Sequence, residues 1–295
     1  GKFFPIFPAD LGHARVVKSL LLAMLMTVGA AAAADTLATI SAGPGQLILT
    51  QFLAAPFPHP SRTHGHTYKE TFFPADPHYA DSTVAIFIPP GYRAGAAADF
   101  VIHFHGWRNT VAGTLTQYDL PEQLVASRRN AILIVPEGPR DAPDSSGGKL
   151  EDPEGFKRFM AETLAVLQQR GVVASNVAVG NIILSGHSGG YQVISAIVDR
   201  GGLTDHVREV WLFDALYAQS EKFLAWADRT GGRLLDIYTD NGGTKVRTEE
   251  MIAALQQRKQ PALGTRDAAV TGAELQTNRF VFLHTDLAHN EVVAK

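Results

Sequence analysis

The sequence predicts an α/β fold, a mostly parallel, doubly wound sheet flanked by helices, on three observations. Short apolar, β-branched runs alternate with segments of helical apolar spacing from Thr83 onward, the pattern of a parallel sheet covered on both faces. One run, Asn181–Leu184 (NIIL), passes directly into a glycine-rich turn and then a helical segment. Finally, 295 residues with 45% hydrophobic content suffice for one large core and do not demand a second domain.

Composition removes several function classes. A net charge of -3, with lysines and arginines scattered along the chain, provides no basic field for nucleic acid. A cysteine count of 0 excludes disulfides, thiolate catalysis and cysteine-ligated metal. Serine is left as the natural nucleophile.

The N-terminus reads as a targeting segment. His13 to Lys18 (HARVVK) is basic, Leu20 to Val28 (LLLAMLMTV) is apolar, and Ala32-Ala33-Ala34 offers a small-residue cleavage site, the layout of a secretory signal peptide. The apolar core is shorter than the roughly 20 residues that cross a bilayer, so cleavage after Ala34 is expected rather than membrane anchoring. Residues 1–34 are therefore assigned to an extension and signal peptide and 35–295 to a single domain that is periplasmic or secreted. Gly1 to Gly12 carry no initiator methionine and are set outside the fold.

Each later element has its own signal. Leu47–Leu53 and Thr83–Ile88 read as strands, the second closed by Pro89-Pro90-Gly91, with a long polar loop between them. That loop carries His59, His64, His66 and His78 among several prolines, with no acidic ligand at a recognisable spacing, so no metal site is assigned. Phe100–Phe104 is the next strand, running into His105-Gly106-Trp107. A helix at Leu120–Arg129, with Pro121 in its first turn, returns to a strand at Ala131–Val135. Pro139 to Gly148 is a loop long enough to border a site. Phe156–Gln169 places Phe156, Phe159, Met160, Thr163, Leu164 and Leu167 at helical spacing before the Asn181 run.

Further strands are expected at Glu209–Phe213, Arg233–Thr239 and Arg279–Leu283, and helices at Tyr191–Asp199, Glu221–Asp228 and Thr248–Arg258. Only Ala215 to Gly232 separate two of these strands, which leaves no room for a large cap and predicts an open pocket. Internal repeats are absent from the sequence.

Gly186-His187-Ser188-Gly189-Gly190 matches G-x-S-x-G. A strand that turns sharply into a helix strains its apex residue and needs small flanks, which Gly186 and Gly190 supply. The helix that follows directs its N-terminal amides at the serine oxygen, where negative charge develops in acyl transfer. This arrangement resembles the nucleophile elbow of the α/β-hydrolase family, and the likeness extends over most of the chain after the N-terminal segment. The resemblance implies an oxyanion hole from the amides of Gly189 and of Trp107, the latter in the loop after Phe104.

The family order Ser, Asp, His leaves His206, His284 and His289 as late histidines. His206 precedes a strand, and so lies at the wrong edge of the sheet. His284 closes the last strand. His289 stands in the loop beyond, where the family carries its base, and is favoured. For the acid, Asp214 and the alternative Asp240 each follow a strand. Asp214 sits among apolar neighbours, where a carboxylate needs a partner such as the catalytic imidazole; Asp240-Asn241-Gly242-Gly243 reads equally as an ordinary turn. Asp214 is preferred, and Asp286 is expected to cap its loop. Six residues follow His289, whereas a family member continues through a closing helix, so an incomplete C-terminus is expected.

The expected activity is that of an exported serine hydrolase cleaving small-molecule or polymer-linked carboxylic esters through an acyl-enzyme, with no cofactor. The same triad could serve a peptidase, a thioesterase or a polyester depolymerase. A reading of another class is a noncatalytic exported binding protein on a hydrolase scaffold.

Overall fold

A computed structural model describes residues 45–295; the signal-peptide assignment lies outside the described residues. Strands are β1 (Gln46–Gln51), β2 (His66–Tyr68), β3 (Thr71–Phe73), β4 (Thr83–Ile88), β5 (Ala97–Phe104), β6 (Ala131–Pro136), β7 (Ala178–His187), β8 (Val207–Phe213), β9 (Arg233–Thr239), β10 (Leu263–Arg266) and β11 (Phe280–Thr285). The longer helices are α1 (Val111–Gln117), α2 (Leu120–Ser127), α3 (Gly155–Gln169), α4 (Tyr191–Arg200), α5 (Ser220–Thr230), α6 (Lys245–Gln257) and α7 (Gly272–Thr277).

Nine strands form one sheet in the order β1-β4-β6-β5-β7-β8-β9-β11-β10. β4 runs antiparallel to β1 and β6, and every other pair is parallel. The central strands carry unbroken apolar runs, such as Phe100–Ile102 and Ile182–Leu184, because both faces are covered. Ile182 and Leu184 of β7 point into the larger core with α3 and α4, while Ile183 joins the opposite core with Leu115 of α1 and Leu124 of α2. On α3 the buried face is Phe156, Phe159, Met160, Thr163 and Leu167, a helical stripe. Each such large apolar side chain contributes roughly 1.5–3 kcal/mol by leaving water. α5 ends where Gly231, at φ 73°, turns left-handed and returns its amide to the Ala227 carbonyl, a conformation that glycine adopts at little cost. No large cap is inserted among the described residues.

Helices α1 and α7 have no counterpart among the sequence expectations, and two strand regions differ as well. The supposed irregular loop between β1 and β4 contains the antiparallel β2–β3 hairpin, whose short strands give no readable alternation. β10 adds an edge strand beside β11, and its residues, alternating half-buried and exposed, offer no apolar run.

Register places the site. Phe104 of β5 pairs with Gly186 of β7, and His187, the last residue of β7, pairs with Phe213, the last of β8. Ser188 and Asp214 therefore leave adjacent strands at the same level, at the carboxyl edge where open α/β sheets bind ligands.

Candidate active site

Ser188 stands at the apex of the β7–α4 turn with φ 51°, a left-handed conformation costly for a residue with a Cβ. Both flanking glycines are closely packed, Gly190 against backbone and Gly186 against a side chain. A Cβ on Gly190 would lie 2.6 Å from the Phe104 carbonyl oxygen, and one on Gly186 would lie 2.6 Å from Ile194 Cδ1. Ser188 to Gly190 form a single helical turn that leads into α4, and first-turn amides have no intrahelical acceptor.

The His105-Gly106-Trp107 loop packs directly against this turn. A Cβ on Gly106 would meet Ser188 Cβ at 2.7 Å, and one on Gly189 would meet Trp107 Cδ1 at 2.9 Å. Trp107 is 43% exposed and donates from Nε1 to Ser145 Oγ at 2.8 Å. The loop is fixed from below by buried His105, whose Nε2 lies 3.1 Å from Glu137 Oε1. Burial opposes charge on His105, but the Glu137 carboxylate outweighs it and the net pKa shift is upward. Glu137 Oε2 also accepts from the Val111 amide at the start of α1.

His289 and Asp214 are brought together, with His289 Nδ1 2.7 Å from Asp214 Oδ2. Asp214 is fully buried and is satisfied from several directions. Thr239 Oγ1 donates to Oδ2 at 2.7 Å, Thr244 Oγ1 donates to Oδ1, and the Thr239 amide donates to Oδ1 at 3.3 Å. Burial alone would raise its pKa; the hydrogen bonds from His289, Thr244 and Thr239 prevail and the net shift is downward. The carboxylate is thus held ionised against the imidazole.

The rival positions lie elsewhere. Asp240 is exposed, bonded to Lys245 Nζ at 2.6 Å and to His284 Nε2 at 3.1 Å. Its turn has another use: a Cβ on Gly242 would overlap Asp214 Oδ2 at 1.7 Å, so only glycine lets the turn close over the buried carboxylate. Gly242 donates to Thr239 Oγ1 at 2.8 Å and accepts from Tyr217 Oη at 2.6 Å. His206 lies before β8 and contacts the Gly180 carbonyl at 3.1 Å. Asp286 does not cap its loop, contrary to expectation. It pairs with Arg266, and Thr285 Oγ1 takes the Leu287 amide instead.

Ser188 and His289 line one cavity of about 740 Å³ together with Trp107, Arg108, Asn109 and Tyr217. A hydrogen bond between Ser188 Oγ and His289 is not formed in this arrangement, and such contacts commonly tighten only in the substrate complex. Among the described residues, no group of three His, Cys, Asp or Glu side chains is placed to hold a metal ion. Sequence reasoning missed Thr239, Thr244, Gly242 and Tyr217, because their proximity to Asp214 arises only from the folded sheet edge.

No protein-family model and no curated protein sequence matches the chain. Solved structures do resemble it. A ferulic acid esterase aligns at 12% identity and TM-score 0.51, over 83% of this chain and 92% of that one. The feruloyl esterase module from Clostridium thermocellum aligns at 9% identity and TM-score 0.48, over 85% and 88%. An S-formylglutathione hydrolase from Staphylococcus aureus aligns at 9% identity and TM-score 0.47, over 84% and 93%. With its antiparallel second sheet strand β4, a strained serine after β7, and the ferulic acid esterase aligned over most of both chains, this chain adopts the α/β-hydrolase fold.

Proposed function

We propose that the chain is an exported serine hydrolase that cleaves carboxylic esters, with Ser188 as nucleophile, His289 as base and Asp214 as acid. The observation that carries this reading is the 2.7 Å contact between His289 Nδ1 and the buried Asp214 carboxylate, on the cavity that Ser188 lines. Because Nδ1 is engaged by a carboxylate, it carries the proton, and Nε2 is the free basic nitrogen.

His289 Nε2 removes the proton from Ser188 as its oxygen attacks the ester carbonyl. Negative charge passes to the carbonyl oxygen, which the amides of Gly189 and Trp107 receive. Losing one such donor typically costs roughly 3–4 kcal/mol of transition-state stabilisation. His289 then protonates the leaving alcohol, and water repeats the sequence on the acyl-enzyme. Asp214 steadies the imidazolium without taking its proton. The basic, apolar and small-residue order of residues 13–34 supports export, and no helix among the described residues is long and apolar enough to cross a membrane.

The test is turnover of a chain-length series of p-nitrophenyl esters together with labelling by a fluorophosphonate, which needs an activated serine. The expected result is ester turnover and labelling, both abolished in Ser188→Ala. A folded protein that is neither labelled nor active would overturn the reading. Labelling without ester turnover would redirect the substrate class to peptides or thioesters.

A further inference from the structure

The nucleophile and the base are connected along the cavity wall by His187, the last residue of β7, which with Tyr118 lines the same cavity. His187 is 3% exposed. Its Nε2 lies 2.8 Å from the main-chain oxygen of His289, and its Nδ1 lies 3.0 Å from Tyr118 Oη. A carbonyl oxygen can only accept, so Nε2 carries the proton; Nδ1 is then the acceptor and the Tyr118 hydroxyl donates. Both ring nitrogens are satisfied in one tautomer.

The rings reinforce this line of contacts. His187 lies 5.5 Å from Tyr118, edge on, and 4.6 Å from His289. Burial, with the neighbouring His289 acting in the same sense, pushes the His187 pKa down to about 4, so the ring stays neutral and keeps this tautomer near neutral pH. His289 itself stands in a turn beyond β11, without ladder hydrogen bonds of its own. Gln123 of α2 makes a second tie to this tail, donating to the Val293 carbonyl at 2.7 Å.

We infer that Tyr118 and His187 are positioning residues that hold the His289 main chain in register with Ser188 for acyl transfer. The inference rests on His289 being the base. Because His187 and Ser188 share a peptide unit, any displacement of the base loop is measured directly against the nucleophile. A misplacement of about 1 Å in such a constellation costs about 10²-fold in rate.

The experiment compares the full chain with His187→Leu, His187→Gln and Tyr118→Phe, reading kcat and KM on a p-nitrophenyl ester, the fluorophosphonate labelling rate and Tm. His187→Leu is expected to lose about 10²-fold in kcat and labelling rate with KM within about twofold. His187→Gln, whose amide can still donate to the His289 carbonyl, recovers part of that loss. Tyr118→Phe keeps the ring packing and loses about fivefold, the equivalent of one hydrogen bond, which keeps the inference testable if His187→Leu does not fold. Labelled wild type with kcat unchanged in a folded His187→Leu and in Tyr118→Phe overturns the inference alone. Equal losses in the Leu and Gln variants that track a fall in Tm also overturn it, since the role would be structural. Wild type that resists labelling overturns the assignment of Ser188 and His289, and the inference with it.

Discussion

His284 Nε2 lies 3.1 Å from Asp240 Oδ1, so beyond β9 and β11 the sheet edge offers a rival to the imidazole–carboxylate pair of His289 with Asp214. Their surroundings differ: the Asp240 side chain is 49% exposed and shared with Lys245, whereas that of Asp214 is 0% exposed. An exposed pair is screened by solvent and contributes little. Asp240→Asn and His284→Ala are therefore expected to keep kcat/KM within about twofold, while Asp214→Asn lowers it by about 10³–10⁴-fold. Steady-state kinetics on one ester decides this, and an Asp240→Asn loss as deep as that of Asp214→Asn would reverse the assignment.

These pairs mark where sequence reasoning reached its end. The strand, turn and helix around Ser188 were legible because their signals are local: an apolar run, two glycines that permit close packing, then helical spacing. The choice between Asp214 and Asp240 depended on which histidine reaches which carboxylate. β11 lies beside β9, so its His284 faces Asp240, while the chain must fold back beyond β11 for His289 to reach Asp214. No spacing rule encodes that return. α1 was illegible for another reason. Its VAGTLTQ sequence is a weak helix former, and its start is held by the Thr110 side chain and by Glu137 from across the loop.

The two elbow glycines are predicted to differ in tolerance. A Cβ on Gly190 meets a backbone oxygen, that of Phe104, whereas a Cβ on Gly186 meets the far end of the Ile194 side chain, which can rotate away. Gly190→Ala is expected to destabilise by about 3 kcal/mol or to prevent folding, and Gly186→Ala by about 1 kcal/mol. Urea titration of both variants checks the order, and equal costs would contradict it.

The strain at Ser188 has a measurable counterpart. At φ 51°, alanine retains the Cβ penalty and glycine relieves it, so Ser188→Gly should exceed Ser188→Ala in stability by about 1 kcal/mol. Both should lack activity. Thermal unfolding of the two variants side by side is the check, and an alanine variant at least as stable would show that the turn carries no strain at this residue.

Asp236, fully buried in β9, gives the protein a pH dependence of unusual sign. Thr248 Oγ1 donates to its Oδ2 at 2.6 Å, while Oδ1 has no partner among the described residues. Burial pushes its pKa up to about 7, with Thr248 opposing and the Asp214 charge adding to the rise. The folded state therefore binds this proton more tightly than the unfolded chain, whose carboxyl titrates near ~3.9. Its contribution to stability is fully present below about pH 4 and falls as pH rises toward about 7, by up to about 4 kcal/mol. Asp214 acts in the opposite sense: its lowered pKa contributes stability above the unfolded value that is lost as pH falls. Comparison with Asp236→Asn, which is neutral at every pH, separates the two. The variant should gain stability over wild type between about pH 4 and 7 in urea titrations and level off above, because only the wild type must take up a proton at Asp236 to fold there, and a difference that stays flat across that range would show that Asp236 ionises without penalty.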